Sequence, residues 1–372
     1  MTIFNVPLDV LARRRSMKWR RHPPDVLPLW VAEMDCYLSP NVQRAIQEAL
    51  LIGDFGYHGP HILEPAWRRY ARDAWGLDLE ERQIELSLDV MAAMAAAVDH
   101  LTPKDAVIAT TTPIYPPFRD AGTVGGRRLV TVDMTPEGRF DLTAIDKLFA
   151  QEKPAMFLVC NPYNPHGTIA TCDQLAAIAA MGARWGVTIL VDEIHALVHD
   201  RHVGFTPYLT VPGSEAGFVA TSASKGFGLA GLKVGLLVAG PAAVDSLARI
   251  PYANKAGSAG HLALIAQAAA LDGDRDWLDQ MNHEVVANKS LLADLLTKVG
   301  LRYTPSPATY FAWIDCSRFG LDDPAAHFLK EGRVAFNSGA EYDPRFRQWI
   351  RINVAASAEV LREAVRRLAQ AL

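Results

Sequence analysis

Between residues 83 and 240, short and nearly continuous apolar runs alternate with longer segments of mixed polarity. The runs are QIELS (83–87), AVIAT (106–110), RRLVTV (127–132), AMFLVC (155–160), VTILVD (187–192), GFVATS (217–222) and VGLLVAG (234–240). Several lack the every-other-residue polarity of a half-exposed strand, which predicts strands buried on both faces. Helix-length segments separate most of them. DQLAAIAAMGARWG (173–186) is one, and it closes on a glycine suited to the residue after a helix C-terminus. This alternation predicts an α/β fold, a mostly parallel sheet with helices on both faces. The last two runs are joined without room for a full helix. Beyond residue 275 the texture changes: two long helical stretches flank the short strands YFAWID, RVAF and WIRINV. We read a large domain over 50–275, and a smaller α+β domain made from 1–49 and 276–372. No repeat or low-complexity linker interrupts the pattern.

The chain has 372 residues, half of them apolar and 21% charged, enough for a sizeable core. A net charge of −4 provides no basic field for nucleic acid. The arginines at 13–15 and 20–21 read as a solvated helix face, and HPPD follows them where a signal peptide would have an apolar run. The longest apolar stretch, around MAAMAAAV, falls far short of the ~20 residues that cross a bilayer. Cys36, Cys160, Cys172 and Cys316 show no paired, metal-like spacing, as expected of reduced thiols in the cytoplasm. These features predict a cytoplasmic enzyme acting on a small molecule, with neither a nucleic-acid nor a membrane partner.

The segment SASKGFGLAGLK (222–233) admits three chemistries. Gly226, Gly228 and Gly231 spell the dinucleotide-binding G-x-G-x-x-G, but a strand follows within three residues, where that motif requires a helix. Ser222 and Lys225 spell the S-x-x-K of a serine nucleophile. Its companion motifs could only be YAN and KAG, contiguous at 252–257 and unable to form opposite walls of a site. The third reading makes Lys225 the amine for a carbonyl cofactor. Pyridoxal phosphate needs such a lysine, an acid for its ring nitrogen and a cradle for its phosphate. Asp192 ends VTILVD, Asn164 follows AMFLVC, and Tyr115 follows AVIAT. Each lies just beyond a strand, where open α/β sheets bind ligands. There Asp192 could face a pyridinium, Asn164 a ring hydroxyl, and Tyr115 the ring itself.

Together NPYNPHG, VDEIH, SASKGFGLAGLK and RINVA resemble the fold-type-I pyridoxal-phosphate enzymes, the aspartate aminotransferase superfamily. LPLWVAEMD, FGYHG and DEIHA narrow the resemblance to the cystathionine β-lyase and cysteine-S-conjugate β-lyase branch, nearly end to end. It implies that Lys225 forms the Schiff base and moves the proton at Cα, and that Asp192 pairs with the ring nitrogen. It also implies that Asn164 and His195 contact the 3-hydroxyl, while Tyr115 stacks on the ring. The phosphate would rest on the backbone of Val90 and Met91 at a helix N-terminus, aided by Ser222, Lys233 and the Tyr57 of a two-fold partner. Arg351 would hold the substrate carboxylate. Two positions depart from the pattern. Asp89 stands where glycine is usual, and must either point away from the phosphate or cap the helix. Cys36 replaces a phenylalanine and reads as a smaller apolar filler.

The branch implies α,β-elimination, with a thiol leaving Cβ of cystathionine or an S-substituted L-cysteine to give pyruvate and ammonia. Lys233, where many aminotransferases of the superfamily carry arginine, favours the lyase over transamination. A tailored reaction on a biosynthetic cysteine conjugate is a further alternative. A partner-binding regulator that keeps the fold is another, which the presence of lysine, acid and arginine together argues against.

Overall fold

The computed structural model describes residues 2–372. Its strands, in chain order, are β1 (Leu27–Pro28), β2 (Ile84–Ser87), β3 (Val107–Thr112), β4 (Arg128–Asp133), β5 (Met156–Cys160) and β6 (Thr188–Asp192). They continue with β7 (Phe218–Thr221), β8 (Gly235–Ala239), β9 (Phe311–Asp315), β10 (Val334–Ala335), β11 (Asn337–Ser338) and β12 (Trp349–Asn353). Strands β2 to β8 are the seven apolar runs of the sequence, and they form one sheet in the order β2-β8-β7-β6-β5-β3-β4. Neighbours from β4 across to β7 pair in parallel, whereas β8 is antiparallel to both β7 and β2. Every residue of β5, β7 and β8 is buried, which is why those runs show no alternation. β4 closes one edge, and of its six residues only Val132 is buried.

Helices cover the sheet. Cys172–Trp185 shows how the sequence builds one. Thr171 and Gln174 form a reciprocal capping box at its start, and Leu175, Ile178 and Ala179 are buried. Gly186 ends it in the left-handed region at φ 68°. The chain steps outward from β5 through β6 to β7 on one side, and from β3 to β4 on the other. The switch point lies between β3 and β5, and there the carboxyl ends of the strands open a crevice.

The C-terminal part has its own three-stranded antiparallel sheet, β11-β12-β9, against which helix Pro324–Glu331 packs, while helices Arg275–Lys298 and Ala358–Gln370 pack on one another. The expected strand 333–336 is shorter than its sequence run, and β11 follows it after one residue. The first fifty residues divide. β1 pairs in parallel with β10, whereas helix Pro40–Ile52 packs on helix His261–Gly273 beside the large sheet. No helix among the described residues is long and apolar enough to cross a membrane.

Candidate active site

Residues from the ends of β3, β5, β6 and β7 line one cavity, together with the start of helix Val90–Leu101. Nine residues singled out in the sequence meet there: Val90, Met91, Tyr115, Asn164, Asp192, His195, Ser222, Lys225 and Lys233. Arg351 stands beside it on β12 and reaches Asn164. Tyr57 does not: its side chain is fully exposed, at 105% of its reference area.

After β7 the chain makes a single short turn, Ala223–Lys225, and reaches β8 with no intervening helix, so nothing here can cradle a dinucleotide. The Ser222 hydroxyl donates to the carbonyl of Val234 at 2.8 Å, and Lys225 points elsewhere. Gly228 takes φ 69°, and a Cβ on it would sit 3.2 Å from Cys36 Sγ. The glycines shape the chain that presents the lysine. Cys36 packs in the apolar core, where burial pushes its thiol up to about 12.

Lys225 is half-buried on the cavity wall, and its Nζ donates to the carbonyl of Ala32 at 3.1 Å. Burial, followed by the charges of Arg351 and Lys233, lowers it to about 8, which leaves free amine near neutral pH. Asp192 ends β6, and its Oδ1 accepts the N–H of Ile194 at 2.9 Å. Burial raises it to about 7, against the pull of that N–H and of Lys225. A carboxyl so placed gains most from a cation brought to it. His195 is held neutral by burial and by the charges of Lys225 and Arg351. Its ring meets Tyr310 and Phe311 edge-on.

The guanidinium of Arg351 is fixed from three sides. Nη2 donates to the carbonyl of Trp30 at 2.9 Å and to Asn337 Oδ1 at 2.7 Å, while Nη1 donates to Asn164 Oδ1 at 3.1 Å. It lies 3.8 Å above the Phe311 ring. Nε of Arg351 and Nδ1 of His195 are buried without a hydrogen-bond partner among the described residues. Leaving such atoms unpaired is costly, so a bound ligand that pairs them is favoured. A carboxylate suits the arginine. The half-buried amine, the acid at the strand end and the helix N-terminus across the cavity fit pyridoxal phosphate as a set.

At that helix N-terminus Asp89 takes the second of the courses open to it. Its Oδ1 caps the helix by accepting Ala92 N–H at 2.8 Å, and its Oδ2 pairs with Lys233 at 2.7 Å. Lys233 and Ser222 therefore already have partners within the chain.

Two contributors escaped the sequence reading. Asn337 is paired directly across from Arg351 in the β11–β12 register. Its run carries no apolar alternation that would mark it. The other is the backbone of Trp30 to Glu33, whose Ala32 lines the cavity and whose carbonyls hold side chains in and beside it. Arg351 binds that of Trp30, Asn353 those of Val31 and Glu33, and Lys225 that of Ala32. A buried ion pair at 2.8 Å between Lys18 and Asp35 braces this segment. The stretch that carries Lys18 and the LPLWVAEMD segment are thus two halves of one brace.

The model of the family described as aminotransferase class I and II matches residues 27–368. A Mycobacterium leprae protein provisionally named cystathionine beta-lyase is 36% identical over 389 residues, covering 98% of this chain and 96% of its own. The cystathionine beta-lyase of Corynebacterium glutamicum is 30% identical, covering 98% of this chain and 99% of its own. Among solved structures, a provisionally assigned PLP-dependent beta-cystathionase from Corynebacterium diphtheriae superposes with a TM-score of 0.93 at 32% identity. That alignment covers 100% of this chain and 98% of the other.

Proposed function

The chain belongs to the aminotransferase class I and II family, and from that premise we propose that it is a pyridoxal-phosphate-dependent carbon–sulfur β-lyase. Its substrates are cystathionine or other S-substituted L-cysteines, and its products a thiol, pyruvate and ammonia. The observation that carries the reading is the enclosure of Lys225 and Asp192 in one cavity, with opposite shifts in acidity.

Pyridoxal phosphate, when bound, supplies the electron sink that acidifies Cα of an amino acid. Lys225 would hold the cofactor at its carbonyl carbon, and its amine is the base that would take the proton from Cα. Asp192 keeps the ring nitrogen protonated, and burial makes that charge-assisted hydrogen bond strong. Arg351, fixed by Trp30, Asn337 and Asn164, orients the substrate carboxylate and so the Cα–H bond. Asn164 and His195 would serve the ring hydroxyl, and Tyr115 would pack on the ring. Val90, Met91, Ser222 and Lys233 attend the phosphate. The thiol on Cβ leaves as thiolate, and hydrolysis of the remaining three-carbon fragment gives pyruvate and ammonia.

We place the enzyme in the cytoplasm as a homodimer, with residues 50–275 and the helix Pro40–Ile52 packed on them forming the cofactor-binding domain, and 1–39 with 276–372 the smaller one. The exposure of Tyr57, beside exposed Leu50, Leu51, Ile52 and Phe55, supports a two-fold partner that receives the tyrosine at its own phosphate site. Purified, cofactor-loaded protein given cystathionine should release thiol, pyruvate and ammonia in equal amounts with no keto-acid co-substrate. Turnover that requires a keto acid and yields a second amino acid would instead make it an aminotransferase.

A further inference from the structure

Asp89 sits where an incoming anion would sit. The first turn of a helix offers uncommitted N–H groups and the positive end of the helix dipole, a ready site for phosphate. At helix Val90–Leu101 the chain's own carboxylate already binds the Ala92 N–H at 2.8 Å, and it has drawn Lys233 to 2.7 Å. Partial burial acts to raise this carboxyl, but Lys233 and the N–H groups of Ala92 and Met91 outweigh burial and hold it below the usual range. It is an anion at neutral pH. The backbone beneath it is pressed against β8, where a Cβ on Gly235 would lie 2.6 Å from the Asp89 carbonyl carbon and 2.8 Å from Val90 N. Asp89, Val90, Met91, Ser222 and Lys233 all face the cavity that holds Lys225.

We propose that Asp89 limits cofactor affinity, its carboxylate competing with the cofactor's phosphate for the helix N-terminus and for Lys233. The inference rests on the pyridoxal-phosphate reading above. A phosphate dianion arriving here meets a like charge and must share a lysine that is already paired. The chain therefore holds the phosphorylated cofactor more loosely than the same fold would without this acid, and its loading follows the free cofactor concentration. Lys233 is more than half exposed and Asp89 about a quarter, so solvent screens the effect to a modest factor.

Asp89→Asn removes the charge and keeps a residue that caps helices equally well. Cofactor-free wild type and variant would be titrated at low salt with pyridoxal phosphate, with pyridoxal and with inorganic phosphate, following absorbance for the first two and heat for the third. The dissociation constants for pyridoxal phosphate and inorganic phosphate should fall roughly two- to tenfold in the variant, and that for pyridoxal should not change. Added salt should narrow the gap. Lys233→Gln should weaken pyridoxal phosphate binding more in the Asp89→Asn background than in wild type, because there the lysine is no longer shared. Unchanged or weaker phosphate binding by a variant with wild-type melting overturns the proposal. So does an equal gain for pyridoxal, which would show that the effect bypasses the phosphate. Should Asp89→Asn fail to fold, Asp89→Ser, which also caps, carries the same test. Wild-type protein that binds neither pyridoxal form would refute the cofactor reading itself, a different failure.

Discussion

Lys225, half-buried, and Asp192, fully buried, are ionisable groups whose acidities the protein has moved in opposite senses, to about 8 and about 7. Burial is the first cause for each. It disfavours charge on both, and their mutual attraction restores only part of it. The lysine has a measurable consequence. Its usual value is near 10.5, so between about pH 8 and 10.5 the unfolded chain keeps a proton that the folded chain has lost. More protons on the unfolded state means that stability contributed at this site rises with pH across that window. Below pH 8 the cofactor-free fold bears the full burden of a half-buried ammonium. In urea melts, Lys225→Met should therefore be more stable than wild type at pH 8 by up to about 3 kcal/mol, the advantage shrinking toward pH 10.5. An advantage independent of pH would show that the lysine is not buried as described. Asn337 and the Trp30 carbonyl belong to the same scale. They do no chemistry, but they set which edge of Arg351 is left for a ligand.

At the scale of elements, the large sheet was legible because burial on both faces leaves strands with nothing but apolar residues, as in MFLVC and GLLVA. β11 was not, because two residues carry no period. The division of the first fifty residues was hidden for a related reason: helix Pro40–Ile52 is amphipathic, but its pattern does not say which neighbour covers its apolar face. Of the site, the residues beyond strand ends could be found from position alone, since four polar groups follow four apolar runs. The directions of side chains could not. That Asp89 turns to cap its helix, and that Asn164 also serves Arg351, are matters of packing. The junction of β8 with helix Val90–Leu101 makes this testable. Gly235→Ala would drive a methyl into the backbone of residues 89–90, forcing strand and helix apart. We expect a loss of about 1–3 kcal/mol in thermal or urea unfolding, together with weaker cofactor binding. A neutral substitution would mean that the helix start is free to move.

Across the whole molecule, the cavity opens at the carboxyl ends of the large sheet, and a few polar contacts tie that sheet to the C-terminal part. Arg351 meets Asn164, Thr112 meets Asp343 at 2.8 Å, and Arg345 meets Asp133. Tyr57, fully exposed, lies outside the cavity. If Tyr57 serves the partner subunit, inactive Lys225→Ala and impaired Tyr57→Phe protomers should complement each other on mixing. One site of each mixed dimer would then carry both defects and the other neither, lifting activity above both parents. No gain, with subunit exchange verified, would reject the shared site. The central claim is narrower: this cavity binds pyridoxal phosphate through Lys225 and uses it to cleave carbon–sulfur bonds. It is tested most directly by borohydride reduction of the cofactor-loaded protein, followed by peptide mapping and a lyase assay. The account predicts a pyridoxyl group on Lys225 and the loss of pyruvate release in proportion to labelling. A label on another lysine, with cleavage of cystathionine intact, would contradict it.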